Sequence, residues 1–305
     1  MAAEKTELQK RIESGKQVLL AEFSPPKGGD PAPVRAAAKC FAGKVHAVGV
    51  SDNRDGVHMS AIAAASLILS EGVEPIVHVT TRDRNRIALV SDCLGAQAMG
   101  IRNLLCTTGT HQTLGPCRKA RNVFDIDSIQ LLGMYGGLAE DGSLVGEERF
   151  EGAGPFCLGT TASPFADPCE MQAIRLAKAV AAGSRFVITQ PVFDIDRFEL
   201  WWAEVTKRGL HEQVAILAGV RPLADADLAK SYAASRPSPA IPDALLERIC
   251  APGDKKGQQA VGIEIALETV QRLSGLKGLR GFEVRADGDA DIAIEFIERS
   301  GLGIA

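Results

Sequence analysis

Short apolar runs rich in β-branched residues alternate with longer stretches of helical periodicity along nearly the whole chain, and this rhythm is what most limits its fold. The runs fall at 18–23, 47–50, 75–80, 103–107, 156–159, 186–190, 215–219 and 281–285. They are continuously apolar rather than alternating, the pattern of parallel strands covered on both faces. Between them, residues 60–69, 86–99, 170–182, 195–208, 223–234 and 257–273 carry apolar side chains at three- and four-residue spacing. Strand and helix in regular alternation, with eight strands, predict a single (β/α)8 barrel over residues 1–305 with an outer ring of helices. The competing arrangement is an open doubly wound sheet, which carries a Gly-rich phosphate loop after its first strand. Here that strand is followed by Ser24-Pro-Pro-Lys-Gly-Gly29, and prolines cannot offer the free N–H groups such a loop needs. Residues 136–155, rich in Gly and acidic residues, read as a long loop between the fourth and fifth strands. The Pro-rich segment 235–242 reads as a helix–helix connection.

The net charge of −4 excludes the excess of Lys and Arg that nucleic acid or an anionic membrane rewards. No apolar run approaches the ~20 residues that span a bilayer. The opening Met1-Ala-Ala-Glu-Lys-Thr-Glu-Leu8 is charged and amphipathic and has no signal core, so the expected location is the cytoplasm. Seven cysteines at wide spacing form no Cys-x-x-Cys pair and read as small buried thiols in a reducing compartment. The five histidines show no ligand spacing to one another or to cysteine, so no metal site is expected.

In a barrel, chemistry gathers at the carboxyl ends of the strands. The first strand ends in Ala21-Glu-Phe-Ser-Pro. A carboxyl among apolar neighbours, as at Glu22, has its pKa raised by desolvation and suits a general acid; the same position serves equally as a salt-bridge partner in the barrel mouth. Ser51, Asp52 and Asn53 follow the second strand. His78 and Thr80 alternate onto one face of the third, where a lone His is more often a satisfied core residue than a functional one. The fourth strand ends in Cys106-Thr-Thr-Gly-Thr110. Gly109 permits close approach of a ligand, and the hydroxyls of Thr107, Thr108 and Thr110 can donate to carbonyl or phosphate oxygens. Gln190, ending the sixth strand, offers a coplanar donor and acceptor that match the edge of a pterin or flavin ring. This set suits a flat heteroaromatic ligand and acid catalysis without specifying the reaction.

Five segments, in order, carry a resemblance. They are Ala21-Glu-Phe-Ser-Pro-Pro-Lys-Gly28, Val77-His-Val-Thr-Thr81, Gly100-Ile-Arg-Asn-Leu-Leu-Cys-Thr-Thr-Gly109, Phe124-Asp-Ile-Asp-Ser128 and Ile188-Thr-Gln-Pro-Val-Phe-Asp194. Each is weak alone; together, over residues 17 to about 225, the chain resembles methylenetetrahydrofolate reductases. Arg82-Asp-Arg-Asn-Arg86 and Ser163-Pro-Phe-Ala-Asp-Pro168 look like a branch found in anaerobic one-carbon metabolism. The resemblance implies a barrel with a flavin, FMN or FAD, across the strand ends, and hydride passing from NADH or NADPH through the flavin to the methylene carbon of a tetrahydrofolate. It implies that Glu22 protonates the folate to open its five-membered ring. It implies that Gln190, Thr110 and Phe193 meet the folate, and that Ser51, His78, Thr80, Thr107, Thr108, Gly109, Asp125, Asp127 and Asp167 meet the flavin.

The chain departs from the family pattern on the flavin side. Thr110 stands where an Asp is usual. Ala179 stands where a phosphate-neutralising Lys is usual, leaving Lys178 or Arg175 to offset that charge. Asp167 stands where a His is usual, and the eighth strand reads Gly281-Phe-Glu-Val-Arg-Ala-Asp287 rather than an aromatic- and His-rich run. Two further readings therefore accompany the flavin-dependent reductase: a folate-binding subunit of an electron-transferring complex, and a flavin-free reductase taking hydride directly from nicotinamide. The expected assembly is a homo-oligomer or such a hetero-complex.

Overall fold

A computed structural model describes residues 4–143, 149–150, 154–235, 240–286 and 289–304. Eight parallel strands close into a barrel in sequence order, β1 (Val18–Phe23), β2 (Ala47–Val50), β3 (Pro75–Thr80), β4 (Asn103–Thr107), β5 (Cys157–Ala162), β6 (Phe186–Pro191), β7 (Ala215–Val220) and β8 (Gly281–Arg285). Closure is made by β8 against β1, with Leu20 opposite Glu283 and Glu22 opposite Arg285. Five strands coincide with the runs read from sequence. The others differ at their ends: β5 begins at Cys157 and reaches Ala162, and β6 and β7 each run one residue further. The extensions of β5 and β6 are polar or Pro-containing strand ends, where apolar patterning stops while pairing continues, and β7 gains only Val220.

Around the barrel lie α1 (Glu7–Glu13), α2 (Ala32–Phe41), α3 (Ala61–Ser70), α4 (Arg86–Ala98), α5 (Ser128–Asp141), α6 (Cys169–Ala181), α7 (Ile195–Lys207), α8 (Leu210–Gln213), α9 (Ala226–Ala233), α10 (Asp243–Cys250), α11 (Lys255–Leu273) and α12 (Ala290–Ser300). The six helical stretches read from sequence correspond to α3, α4, α6, α7, α9 and α11; the rest lay in segments without an assigned element. The loop expected at 136–155 is in part helix. Helix α5 runs through Gly133, Gly136 and Gly137, then ends at Gly142 in the left-handed conformation, φ 69°. Residues 144–148 and 151–153 of that segment lie outside the described residues, as do 236–239 of the Pro-rich connection, 1–3 of the amino terminus and Asp287 of the eighth-strand motif. The connection still joins two helices, α9 and α10.

Many helices start where an Asp or Asn side chain accepts a bond from a first-turn N–H: Asn85, Asp127, Asp194, Asp225, Asp254 and Asp289. Asp127 makes a full capping box with Gln130. No helix among the described residues is long and apolar enough to cross a membrane. Cys93, Cys106 and Cys157 are buried as expected, and the other four thiols are partly exposed.

Alternation divides each strand between two cores. Outward residues pack under the helices. Inward residues Val18, Leu20, Ala47, Ile76, Leu105, Cys157, Phe186, Ile188, Ala215 and Leu217 fill the amino-terminal half of the interior. Helix α1 stoppers that end by inserting Leu8, fully buried, into the same cluster. Its first N–H groups, of Glu7 and Leu8, donate to the Glu74 carboxylate at 2.9 and 3.0 Å, and Asn103 joins Glu74 to Thr6. The carboxyl-terminal half of the interior is therefore the half left for polar side chains.

Because Leu8 closes the interior, Leu8→Ala should destabilise the fold by ~2–5 kcal/mol, as for other fully buried leucines. Urea unfolding checks this; an unchanged midpoint would mean that α1 is merely appended.

Candidate active site

At the carboxyl ends of the strands the barrel opens into a cavity of about 510 Å³. Its wall is largely hydroxyl and glycine: Ser51, Thr80, Thr107, Thr108, Gly109, Thr110, Thr160, Thr161 and Thr189. Gly109 has φ +82°, and a Cβ there would lie 2.4 Å from Thr80 Cγ2, so the turn requires glycine. Arg82 is buried and staples three strand-end loops, donating to Asn53 O and Thr110 O at 2.9 and 3.1 Å. Asp52, also buried, accepts from Thr80 N at 3.0 Å and is held by Arg84 through both guanidinium nitrogens. Along α6, Gln172, Arg175, Leu176 and Ala179 face the cavity at helical spacing, whereas Lys178 does not. The pairing of β6 with β7 shifts register between Ile188 and Pro191, which re-aims Gln190 into the mouth. The Oε1 of Gln190 is buried and has no protein partner.

The floor of the cavity is ionic. Glu22, His78 and Glu283 lie with ligand-type atoms within 4.8 Å of one another. Arg54 donates to Glu22 Oε2 from the loop after β2, and Arg285 Nε stands 3.5 Å from the same oxygen while bonding Glu283 Oε2. Burial alone would raise the Glu22 carboxyl, as the sequence suggested, but the guanidiniums of Arg54 and Arg285 overcome it and bring it down to about 2. The expectation of a raised acid at Glu22 is thus reversed. Its opposite charges come from a loop and from the eighth strand, distant in sequence. Burial instead raises Glu283, with Arg285 opposing and the charge of Glu22 adding.

His78 is not the satisfied core histidine that base rates favour: Nε2 has no partner, and neither has Glu283 Oε1. A Cβ on Gly49 would lie 2.9 Å from the first and 3.4 Å from the second, so glycine makes their room. Two carboxylates and an imidazole so close invite a divalent cation. Two guanidiniums already face the two carboxyl groups, so a cation would add uncompensated positive charge to a buried site, a penalty of several kcal/mol.

Of the residues singled out from sequence, Ser51, His78, Thr80, Thr107, Thr108, Gly109, Thr110 and Gln190 line the cavity, and Glu22 lies beside it through Arg285 and Arg54. Four others lie elsewhere. Asp127 caps α5, and Asp125 accepts from Arg86 N at 3.0 Å. Asp167 is exposed and paired with Arg197 at 2.7 Å. Phe193 packs against Tyr232 in a separate buried cluster, ring centroids 6.0 Å apart. Sequence reading missed Arg54, Arg82, Glu283 and Arg285. The signal for the last two was present: a Glu and an Arg two residues apart in an apolar strand must share a face.

A parallel barrel stoppered at one end, with carboxyls, an imidazole and an unpartnered amide gathered at its carboxyl-terminal mouth, belongs to the (β/α)8 class. The chain belongs to the methylenetetrahydrofolate reductase family, whose model matches residues 7–284. A search of curated proteins finds no significant match. Among solved structures, an uncharacterized protein from Clostridium thermocellum that binds two copies of 5-methyl-5,6,7,8-tetrahydrofolic acid superposes with TM-score 0.64 at 11% identity, over 97% of this chain and 99% of that one. 2,3-Dimethylmalate lyase, of the PEP mutase/isocitrate lyase superfamily, gives 0.50 at 10%, over 98% and 86%. Both likenesses are of fold.

Burial pushes the His78 imidazole down to about 4 despite the pull of Glu22. The unfolded chain takes up this proton near 6.5 and the folded chain only near 4, so the stability from this group is present above 6.5 and lost as pH falls toward 4. Nitrogen-detected NMR should show a neutral ring throughout that window; titration near 6.5 would contradict the burial argument.

Proposed function

We propose that this protein reduces methylene-tetrahydrofolate to 5-methyl-tetrahydrofolate, with a bound flavin as hydride carrier and Glu22 as general acid. The observation that carries the reading is that Glu22 and Gln190 come to one mouth: Arg285 stands 3.5 Å from both Glu22 Oε2 and the carbonyl of Thr189, the residue before Gln190. The Gln190 Oε1, buried and unpartnered, is an acceptor waiting for a ring N–H such as a pterin presents. Family membership supports the reaction class, and the folate-binding barrel from Clostridium thermocellum supports the ligand.

The wall fits a flavin. Threonine hydroxyls and the open Gly109 turn suit an isoalloxazine edge, and Arg175, one turn before Ala179 on α6, replaces the absent Lys as a phosphate partner. When bound, the flavin supplies two-electron hydride carriage between donor and folate. Glu22 orients and protonates the folate nitrogen so that the ring opens to an electrophilic iminium. For that, Glu22 must regain a proton, and the partner to move is Arg54, whose side chain is 40% exposed on its loop. Entry of the folate displaces Arg54, and the Glu22 carboxyl rises. The electron donor is NADH, NADPH or a partner subunit.

Ala179 and the distant Asp167 favour a second reading, a folate-binding subunit that leaves redox chemistry to a partner. Titration with FMN and FAD tests the first: quenching of flavin fluorescence by the protein supports it, and no uptake of either supports the second or the flavin-free reductase that takes hydride directly from nicotinamide. With flavin bound, Glu22→Gln should lower the folate half-reaction by ~10²–10⁴-fold while flavin reduction by the donor stays within a few-fold, since Gln keeps the shape but delivers no proton. Stopped-flow absorbance reads both; a folate rate close to that of the parent would remove Glu22 from the acid role.

A further inference from the structure

Glu283 is a charged side chain on a barrel strand, fully buried, with one carboxylate oxygen committed to Arg285 and the other unpartnered. The function proposed above gives it no task. Nature rarely keeps an isolated carboxyl so deep, because burying its charge costs several kcal/mol. We propose that Glu283 holds the proton that Glu22 delivers, the two carboxyls acting as one buried pair bridged by Arg285. This inference rests on the reading of Glu22 as the acid.

The geometry comes from barrel closure. Leu20 pairs with Glu283 and Glu22 with Arg285 across β1 and β8, so the two glutamates point inward on adjacent strands, one layer apart. Their oxygens fall within 4.8 Å, and Arg285 Nε touches an oxygen of each. The groups facing Glu283 are Glu22 from β1, Arg285 from β8, His78 from β3 and Arg54 from the loop after β2. Neighbouring β7, Ala215-Ile-Leu-Ala-Gly-Val220, contributes no titratable side chain.

The charge count then works as a switch. With Arg54 in place, two guanidiniums face two carboxyls, and Glu22 is ionised. When Arg54 leaves Glu22, two carboxyls share Arg285 alone. Like charges this close in a buried site do not both ionise, so the pair retains one proton. Burial favours placing it on Glu283, the deeper of the two, whose carboxyl is already raised. Delivery is a simple exchange. Glu283 passes its proton to Glu22 and is left ionised against Arg285, and Glu22 hands that same proton on to the folate nitrogen and returns to a carboxylate facing the positive charge the folate has gained. Water at the mouth restores the proton after product leaves.

Infrared spectroscopy of the purified protein in the neutral pH range is the first test, and it needs no turnover. At this pH, above the range in which free carboxyls titrate, the parent should still show a protonated-carboxyl C=O band sensitive to deuterium exchange. Glu283→Gln should lose it and Glu283→Asp retain it. Absence of that band in the parent would show that Glu283 is ionised and stores nothing, and would overturn the proposal.

The second test is the pH profile of the folate half-reaction. Removing the negative neighbour lowers the proton affinity of Glu22. In Glu283→Gln the alkaline limb should therefore move to lower pH by about one unit, roughly a tenfold loss on that limb, and Glu283→Asp should restore it. A purely structural role predicts a lower melting temperature with the limb unmoved, which would count against the proposal. If Glu22→Gln is inactive while Glu283→Gln keeps the parental profile, Glu22 stands as the acid and Glu283 fails as its store. If Glu22→Gln still reduces folate, the acid reading itself fails and delivery from Glu283 fails with it.

Discussion

The pairing of β8 with β1 does two things at once. It closes the barrel, and it lays Glu22 against Arg285 with Glu283 beside them. Without that ladder the interior would have an edge, and the charged residues of β8 would meet solvent rather than a carboxylate. Ionic groups tolerate such burial only in balanced company. Here the balance is met by residues from β1, β8 and the loop after β2, so the electrostatics of the floor are a product of topology.

That balance changes how Glu22 must be understood. A carboxyl in an apolar pocket is raised by desolvation, and many catalytic acids work in this way. Glu22 has the burial but also two guanidiniums, and the guanidiniums prevail. Its acidity is therefore conditional on where Arg54 sits. Arg54 belongs to a loop and is partly exposed, whereas Arg285 is buried on a strand. In the proposed reaction the exposed partner would set the protonation state, while the buried one keeps the carboxyl in position.

The architecture was legible because parallel barrel strands are covered on both faces and so print as apolar runs; five of the eight were legible to the residue. Helices α2, α5 and α12 were less legible, since Ala- and Gly-rich or short amphipathic stretches carry weak periodicity and draw their stability from packing. At the mouth, strand residues such as His78 and Thr80 could be placed because alternation fixes their direction. Asp125, Asp127 and Asp167 could not, because an Asp before a helix reads alike whether it binds a ligand or caps a first turn. The sign of the Glu22 shift was beyond the sequence, since it depends on Arg285 arriving from more than two hundred residues away.

The stopper formed by α1 has a kinetic corollary. With Leu8 seated among the interior leucines and Asn103 and Glu74 tied to the helix start, the amino-terminal end offers no passage. Among the described residues, the floor is reached from the carboxyl-terminal mouth. For the proposed reaction, a donor and a folate that use the same position at this mouth would have to take turns there.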